Sequence, residues 1–145
     1  MSNEQPLLKV DNLKTHFNTA SGVAKAVDGV TFSLDYGQTL GIVGESGCGK
    51  SVTSSSIMRL LPKNGHIVDG QILFEGRDLA QLSQKEMLKI RGNEISMIFQ
   101  DPFVSLSPVY TVEEQIYEVM KAHDKSLTKS AAREHIIDLM HKVGI

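Results

Sequence analysis

The chain has 145 residues, of which 41% are hydrophobic and 22% charged, and its formal net charge is −2 from 15 basic and 17 acidic side chains. This composition is typical of a globular protein with room for one domain, and it excludes a disordered or low-complexity polypeptide. The nearly balanced charge, without a block of one sign, gives no reason to expect nucleic acid as a partner.

The first third of the chain predicts a β-rich segment. Residues 7–17 and 23–27 have the composition of strands, and a turn-forming cluster separates them. Residues 30–34 alternate apolar and polar side chains, which indicates a strand with one buried face. Residues 35–37 are predicted to turn the chain. Residues 39–43 carry apolar side chains on both faces, as expected of a central strand covered on both sides.

A glycine-rich motif follows this apolar run directly. It reads G-x-x-x-x-G-K-S and consists of Gly44, Glu45, Ser46, Gly47, Cys48, Gly49, Lys50 and Ser51. At a strand end and ahead of a helix, this pattern predicts a phosphate-binding loop whose backbone N–H groups face the β-phosphate. Lys50 would place its ammonium between the β- and γ-phosphates, and the Ser51 hydroxyl would bind Mg²⁺.

The alternative for this motif is a chance glycine-rich turn. The sequence context argues against it, because residues 51–61 have the pattern of a helix that Pro62 would end. The positive end of that helix would face the anion. Cys48 occupies an unspecified position of the loop, where a small tolerated side chain is a better interpretation than a reactive thiol.

The middle of the chain predicts two more strands and a short helix. Residues 70–74 have the pattern of a strand. Ser83 and Glu86 have the spacing of a capping box at a helix start. Residues 94–99 are predicted to form a strand that ends at Gln100, after which an Asp-Pro pair turns the chain.

The last third predicts two helices. Thr111 and Glu114 repeat the capping-box spacing, and Thr128 can cap a final helix that ends at Gly144. Apolar residues recur in both at helical spacing, a pattern that marks core far more often than a ligand site. They are Val112, Ile116, Val119 and Met120, followed by Ala132, Ile136, Leu139, Met140 and Val143.

No segment predicts a membrane span or a secretory leader. The apolar runs are only about five residues long, whereas a span needs about twenty, and the first residues lack a basic start and an apolar middle. A role at a membrane would therefore need another chain to hold the protein there. A single cysteine excludes an intramolecular disulfide and fits a cytosolic setting, and the five histidines show no zinc-type spacing.

Three features narrow the class of phosphate-loop protein, which could otherwise be a kinase, a small GTPase, a motor ATPase or a transporter ATPase. An antiparallel β segment precedes the loop, Gln100 closes a strand ahead of Asp101 and Pro102, and helices follow. Two stretches, A-V-D-G-V-T-F at residues 26–32 and G-Q-T-L-G-I-V-G-E-S-G at residues 37–47, resemble the ATP-binding subunits of ABC transporters. The stretches M-I-F-Q-D-P, S-L and P-V-Y-T-V between residues 97 and 112 resemble the branch that imports dipeptides and oligopeptides.

This resemblance covers essentially the whole chain and implies an α/β fold. The expected fold is an incomplete ABC-type nucleotide-binding domain, in which an antiparallel β piece joins a RecA-like P-loop NTPase core and the start of the helical subdomain. Residues 1–100 would hold the β piece and the phosphate-loop core. Residues 101–145 would hold the Q-loop and the start of the helical subdomain. The implied cofactors are ATP and Mg²⁺.

The resemblance also implies roles for residues outside the loop. Gln100 matches the Q-loop glutamine, whose amide reaches Mg²⁺ or the attacking water, so Lys50 and Gln100 are the candidate catalytic residues. The alternative for Gln100 is an exposed residue after a strand. Phe17, with His16 as second choice, matches the aromatic residue that stacks on adenine, because a π-face suits a flat base. The alternative for Phe17 is packing in the core.

The sequence departs from the family pattern around and after Gln100. Related importers commonly have Thr and Asn in the segment where this chain has Val104 and Ser107, and no acidic strand end, L-S-G-G-Q signature or switch histidine follows. Phosphoryl transfer to water requires the water, the metal and the developing charge to be positioned together. We therefore expect weak Mg-ATP binding and negligible hydrolysis, together with an unpaired strand edge and uncovered apolar surface beside the phosphate loop.

The expected function of the parent protein is ATP-driven import of dipeptides or oligopeptides. The subunit would lie at the cytoplasmic face of the cell membrane, against membrane permease subunits, and would pair with an identical or sister ATPase. An external peptide-binding protein would take part indirectly. Two alternatives stay open: a soluble ABC-type ATPase of repair or translation, and an inactive piece of a degraded gene.

Overall fold

The computed structural model describes residues 5–101 and 105–145. The chain consists of two compact units, Met1–Leu88 and Lys89–Ile145. The subdomain boundary predicted after residue 100 stays a prediction. The elements in chain order are β1 (Leu8–Thr19), β2 (Gly22–Leu34), α1 (Lys50–Ile57), β3 (Gly65–Phe74), β4 (Arg77–Asp78), α2 (Gln84–Ile90), α3 (Val112–His123) and α4 (Lys129–Lys142).

The first unit is built on a four-stranded antiparallel sheet with the strand order β2-β1-β3-β4. The first predicted strand is confirmed as β1, and the predicted strand at residues 70–74 is the second half of β3, which begins at Gly65. Helix α1 packs against β1 and β2. The buried apolar side chains of this unit come from the sheet, from α1 and from the segment that leads through α2: Val10, Leu13, Val27, Met58, Ile72, Phe74, Leu79 and Met87.

The two strands predicted at residues 23–27 and 30–34 are in fact one continuous strand, β2. Leu13 pairs with Val30 and Lys14 with Asp28, so that Gly29 between them is left unpaired as a bulge with φ 92°. Such a bulge bends a strand and increases its twist without ending the ladder. The gap predicted between residues 27 and 30 is a bulge, because pairing to β1 continues on both sides of it.

The strands predicted at residues 39–43 and 94–99 do not form. Within the described ranges, the strand-type pairing of these segments is limited to an isolated bridge between Arg91 and Ile95. Val43 is 93% exposed, so the burial predicted for residues 39–43 is also wrong, and Ile98 is 89% exposed. A strand requires a neighbour for its backbone N–H and C=O groups, and the ladder of β1 to β4 offers none to either segment. The result is the uncovered apolar surface that the sequence predicts.

Helix α1 ends earlier than predicted, because a local motif stops it before Pro62. Arg59 adopts a left-handed conformation with φ 50°. Its backbone N–H donates to the Ser56 carbonyl (3.0 Å), and the N–H of Leu60 donates to the Ser55 carbonyl (2.8 Å). This pair of bonds is a Schellman motif, which satisfies the last carbonyl groups of a helix. The Arg59 guanidinium then donates to the carbonyl oxygens of Leu79 and Leu82.

The predicted capping residues are confirmed at three helix starts. The Ser83 backbone N–H donates to the Glu86 carboxylate (2.8 Å) at the start of α2. Thr111 and Glu114 form a complete capping box on α3, and the Thr128 hydroxyl accepts from the Ala131 N–H at α4. The helix stripes are buried only in part. Ala132 and Ile136 are fully buried, whereas Ile116, Met120 and Met140 are half-buried and Val112, Val119, Leu139 and Val143 are exposed.

Candidate nucleotide-binding site

The phosphate loop packs closely against the sheet at its last glycine. Gly49 has φ 96° and stands immediately before α1. A Cβ at this position would lie 2.5 Å from the Ala26 carbonyl oxygen of β2, so both the conformation and the space require glycine. The Thr53 N–H and hydroxyl both donate to the Gly49 carbonyl, at 2.8 and 3.0 Å. The loop therefore has a fixed end where the helix begins.

The Lys50 side chain folds back into the loop. Its Nζ donates to the carbonyl oxygens of Gly44 (2.6 Å) and Glu45 (2.7 Å), and Cys48 Sγ accepts a longer contact at 3.4 Å. An ammonium has three donors and no acceptor, so these three partners match its capacity. The loop therefore surrounds the Lys50 ammonium, and a phosphate oxygen that entered the loop would contact this positive charge directly.

The start of α1 supplies further groups for an anion. The first N–H groups of a helix have no acceptor within the helix, and the aligned peptide dipoles make this end positive. Ser51 lies in the first turn with its side chain exposed. No cluster of three or more His, Cys, Asp or Glu that could hold a metal occurs in residues 5–101 or 105–145. The hydroxyl of Ser51 is a hard oxygen donor of the kind that Mg²⁺ prefers.

A cleft of about 410 Å³ lies between the phosphate loop and β2. Its lining residues include Val30, Phe32, Ile42, Val43 and Lys50. The cleft is the space next to the predicted strand at residues 39–43.

The two candidates for adenine stacking lie on opposite faces of β1. Side chains alternate along a strand, so Phe17 shares a face with Thr15, whose hydroxyl contacts Ser56 of α1 at 2.8 Å. Phe17 is half-buried on this face. His16 points to the other face, where its Nε2 is buried and has no hydrogen-bond partner in the described part of the chain. Only Phe17 is therefore on the face of the sheet that carries the phosphate-loop helix.

Gln100 and its surroundings belong to the second unit. Gln100 is exposed and lies at a bend before residues 102–104, and Pro102 and Val104 of the family comparison fall outside the described residues. The roles of Gln100 and Ser51 toward Mg²⁺ stay predictions. Cys48 is a free, exposed thiol.

One contact of this site was not predicted by any motif. The Asn18 N–H donates to the Asn64 carbonyl (2.8 Å), and the Asn64 side-chain amide donates back to the Asn18 carbonyl (3.2 Å). This pair joins the turn after α1 to the residue that follows Phe17. The sequence shows Asn64 only as part of a turn cluster, because nothing local indicates which strand that turn will meet.

Residues 27–145 match the protein family that is described as ABC transporter. The chain belongs to the ABC transporter family. This ABC transporter chain is 49% identical to the dipeptide transport ATP-binding protein DppD of Lactococcus lactis subsp. cremoris over 98% of its own length and 41% of that protein. It is 52% identical to the oligopeptide transport ATP-binding protein OppD of Bacillus subtilis over 96% of its length and 39% of that protein. The chain thus spans about two fifths of these curated relatives.

Solved ABC transporter structures confirm the fold. The dimeric bacterial cassette MJ0796 superposes with a TM-score of 0.80 at 21% identity, covering 92% of this chain and 56% of that one. The same cassette in a post-hydrolysis state bound to ADP and Pi gives a TM-score of 0.77 at 19% identity, with the same coverage. The sequence relatives confirm the resemblance to ABC ATP-binding subunits and to the peptide-importing branch, and the solved structures confirm the fold class. Within the described residues, no helix has both the length and the apolar character to cross a membrane.

Proposed function

We propose that this chain is the phosphate-binding part of an ATPase subunit that drives dipeptide or oligopeptide import. The observation that carries the proposal is the geometry of Lys50, whose ammonium lies on the carbonyl oxygens of its own loop. The names of the similar proteins from L. lactis and B. subtilis supply the transported class. The cofactors of the proposal are ATP and Mg²⁺.

Lys50 would act by exchanging its partners. Its Nζ leaves the carbonyl oxygens of Gly44 and Glu45 and binds oxygens of the β- and γ-phosphates, where a charge-assisted hydrogen bond is stronger. The backbone N–H groups of residues 47–51 bind the β-phosphate. The Ser51 hydroxyl would hold Mg²⁺, which would supply neutralisation of the phosphate charge.

Phe17 and Gln100 complete the proposed contacts. The Phe17 ring would stack on adenine, since a half-buried aromatic side chain on the α1 face of β1 keeps accessible surface for a flat base. Gln100 would orient the attacking water or bind Mg²⁺ through its amide oxygen. We propose binding without turnover for these 145 residues, because the sequence after Gln100 carries no acidic strand end and no signature motif.

Nucleotide binding is tested by titrating the purified chain with Mg-ATP in a calorimeter. Lys50→Ala should weaken binding about tenfold or more, because a hydrogen bond to a charged group contributes about 1.5–3 kcal/mol. Lys63→Ala is the matched control, since it removes the same charge from the turn after α1 and should leave the affinity unchanged. Equal affinity of the Lys50 variant and the native chain would overturn the phosphate-loop proposal.

Absence of turnover is tested by phosphate release from the same samples. We expect no release above that of the Lys50→Ala variant. Steady turnover by the native chain that Lys50→Ala abolishes would show that these residues suffice for hydrolysis, and it would contradict this part of the proposal while supporting ATP binding.

The transport role concerns the whole protein and its partners. We propose that the complete subunit lies at the cytoplasmic face of the membrane and pairs with a second ATPase subunit beneath membrane permease subunits, with an external peptide-binding protein as the indirect partner. Cells of the source organism should lose uptake of a labelled dipeptide or oligopeptide when the complete gene carries Lys50→Ala. Unchanged uptake, with the complete protein recovered free of membrane proteins, would favour a soluble ABC-type ATPase instead.

A further inference from the structure

We propose that Gly65 is a positioning residue for the Phe17 ring and thereby sets how strongly the site holds the base of the nucleotide. The inference rests on the proposed function, because it assigns a specificity role within the same site. Gly65 is the first residue of β3 and pairs directly with Phe17 of β1. It is buried, although it has no side chain of its own to bury.

The Phe17 ring occupies the space that a side chain at residue 65 would need. A Cβ built on Gly65 would lie 2.7 Å from Cε1 of Phe17 and 3.1 Å from both Cδ1 and Cζ. Real Cβ atoms essentially never approach another atom within 3.0 Å, so the ring would have to move. One side of the ring is thus supported by bare backbone, and the other part of the half-buried side chain remains accessible.

The backbone of Gly65 does not itself require glycine. The residues with a left-handed φ include nine glycines, and Gly65 is not among them. Alanine would therefore fit this backbone without strain, and only the Phe17 ring excludes it. This separates Gly65 from Gly49, where both φ and the neighbouring Ala26 carbonyl demand glycine.

Hydrogen bonds hold the two residues in register. Asn18, which follows Phe17, exchanges two hydrogen bonds with Asn64, which precedes Gly65, at 2.8 and 3.2 Å. The Gly65 N–H donates to the Pro62 carbonyl (2.9 Å), which ties the start of β3 to the turn after α1. The backbone on both sides of the ring is therefore fixed, so a clash at Gly65 would be relieved by rotation of the ring.

The ring also has a defined place relative to the phosphate loop. Thr15, on the same face of β1, contacts Ser56 of α1, and Val27, the partner of Thr15, lies beside Gly49. Phe17 follows Thr15 by two residues, about 7 Å along the strand. In this proposal the base of a nucleotide whose phosphates are held by the loop stacks on the ring, and the stacking depends on the ring's orientation.

The test compares ATP with inorganic triphosphate, a probe without a base, in calorimetric titrations at equal Mg²⁺ concentration. Gly65→Ala should weaken ATP binding about tenfold, in the range of base–aromatic stacking, and leave triphosphate binding unchanged. Val68→Ala is the matched control: Val68 belongs to the same strand as Gly65 and is 52% exposed, so both affinities should equal those of the native chain.

A double-mutant cycle distinguishes positioning from a general defect. Phe17→Ala should weaken ATP binding in the same way, and adding Gly65→Ala to it should change nothing further, because the ring that the Cβ displaces is gone. The double variant also removes the clash, so its comparison with Phe17→Ala still tests Gly65 if Gly65→Ala alone folds poorly.

Each outcome has a separate meaning. Native affinity for ATP in Gly65→Ala, equal weakening of ATP and triphosphate, or additive losses in the double variant would each overturn the positioning role. An unchanged ATP affinity in Phe17→Ala would overturn it as well and leave the phosphate-loop proposal standing. A native chain that binds neither probe would instead refute the proposed function.

Discussion

The sheet of the first unit and the two apolar segments at residues 39–43 and 94–99 have similar compositions, but only the sheet is paired and buried. In the sheet, Leu13 and Ile72 are fully buried and the backbone is paired across four strands. In the segments, Val43 and Ile98 are almost fully exposed. Apolar composition is therefore insufficient for a strand. The four antiparallel strands pair with one another. A strand that is to be covered on both faces needs other elements to pack against each face.

The largest expected effect is on the sheet. Leu13→Ala should lower the free energy of unfolding by about 2–5 kcal/mol, because it removes a fully buried side chain and leaves a cavity. Urea denaturation followed by circular dichroism measures this. The matched control is Leu40→Ala in the unpaired segment, where the side chain is 42% exposed and the loss should be clearly smaller. Equal losses of unfolding free energy in the two variants would contradict the proposed difference between the sheet and the unpaired segment.

The next effect concerns the buried hydroxyl pair that joins the sheet to α1. The Ser56 hydroxyl donates to the Val52 carbonyl (2.7 Å), so Thr15 donates to Ser56. Ser56→Ala leaves the Thr15 hydroxyl buried without an acceptor and should cost about 1–3 kcal/mol, whereas Thr15→Val leaves Ser56 bonded and should cost about 1 kcal/mol. The same denaturation measurement applies. A larger loss in Thr15→Val would show that packing rather than the hydrogen bond dominates.

Helix α3 has no fully buried residue, so its stability should depend more on local capping than that of the sheet does. Its start depends on Thr111, whose side chain accepts from the Glu114 N–H. Thr111→Ala should destabilise the helix by about 1 kcal/mol, visible as faster amide hydrogen exchange in its first turn. Thr111→Ser is the control that keeps a capping oxygen. Unchanged exchange in the alanine variant would mean that packing against α4 holds this end.

The same capping box predicts a pH dependence. The Thr111 backbone N–H and hydroxyl, followed by the Lys129 ammonium, lower the pKa of Glu114 below its ordinary value of 4.5. A carboxyl with a lower pKa in the folded state stabilises the fold above its unfolded pKa, and this contribution is lost as pH falls through the lowered value. We expect the first turn of α3 to loosen below pH 4.5. An NMR titration that places the pKa of Glu114 at or above 4.5 would contradict this.

The smallest effect on stability is expected at Val43. It is 93% exposed, and Val43→Lys should change the free energy of unfolding by less than about 0.5 kcal/mol. The same change should reduce self-association, because it interrupts the exposed apolar surface beside the phosphate loop. Light scattering over a concentration series measures this. Lys63→Arg, which keeps the surface charge, serves as the control.

The sequence by itself determined the local features of this protein. Ser83, Thr111 and Thr128 cap their helices through interactions between residues a few positions apart, and the phosphate-loop motif lies directly ahead of α1. The family also followed from the sequence, because its motifs are contiguous. The capping residues and the family are confirmed, whereas the phosphate-binding role of residues 44–51 and the roles of Gln100 and Phe17 stay predictions.

The tertiary structure decided the features that depend on residues far apart in the chain. It joined two predicted strands through a bulge at Gly29, left residues 39–43 without a ladder, and placed Gly65 beneath the Phe17 ring. Strand pairing and register are set by long-range contacts, and a shift of one residue would turn every side chain to the other face. No local pattern could therefore show that Phe17, rather than His16, faces the helix of the phosphate loop.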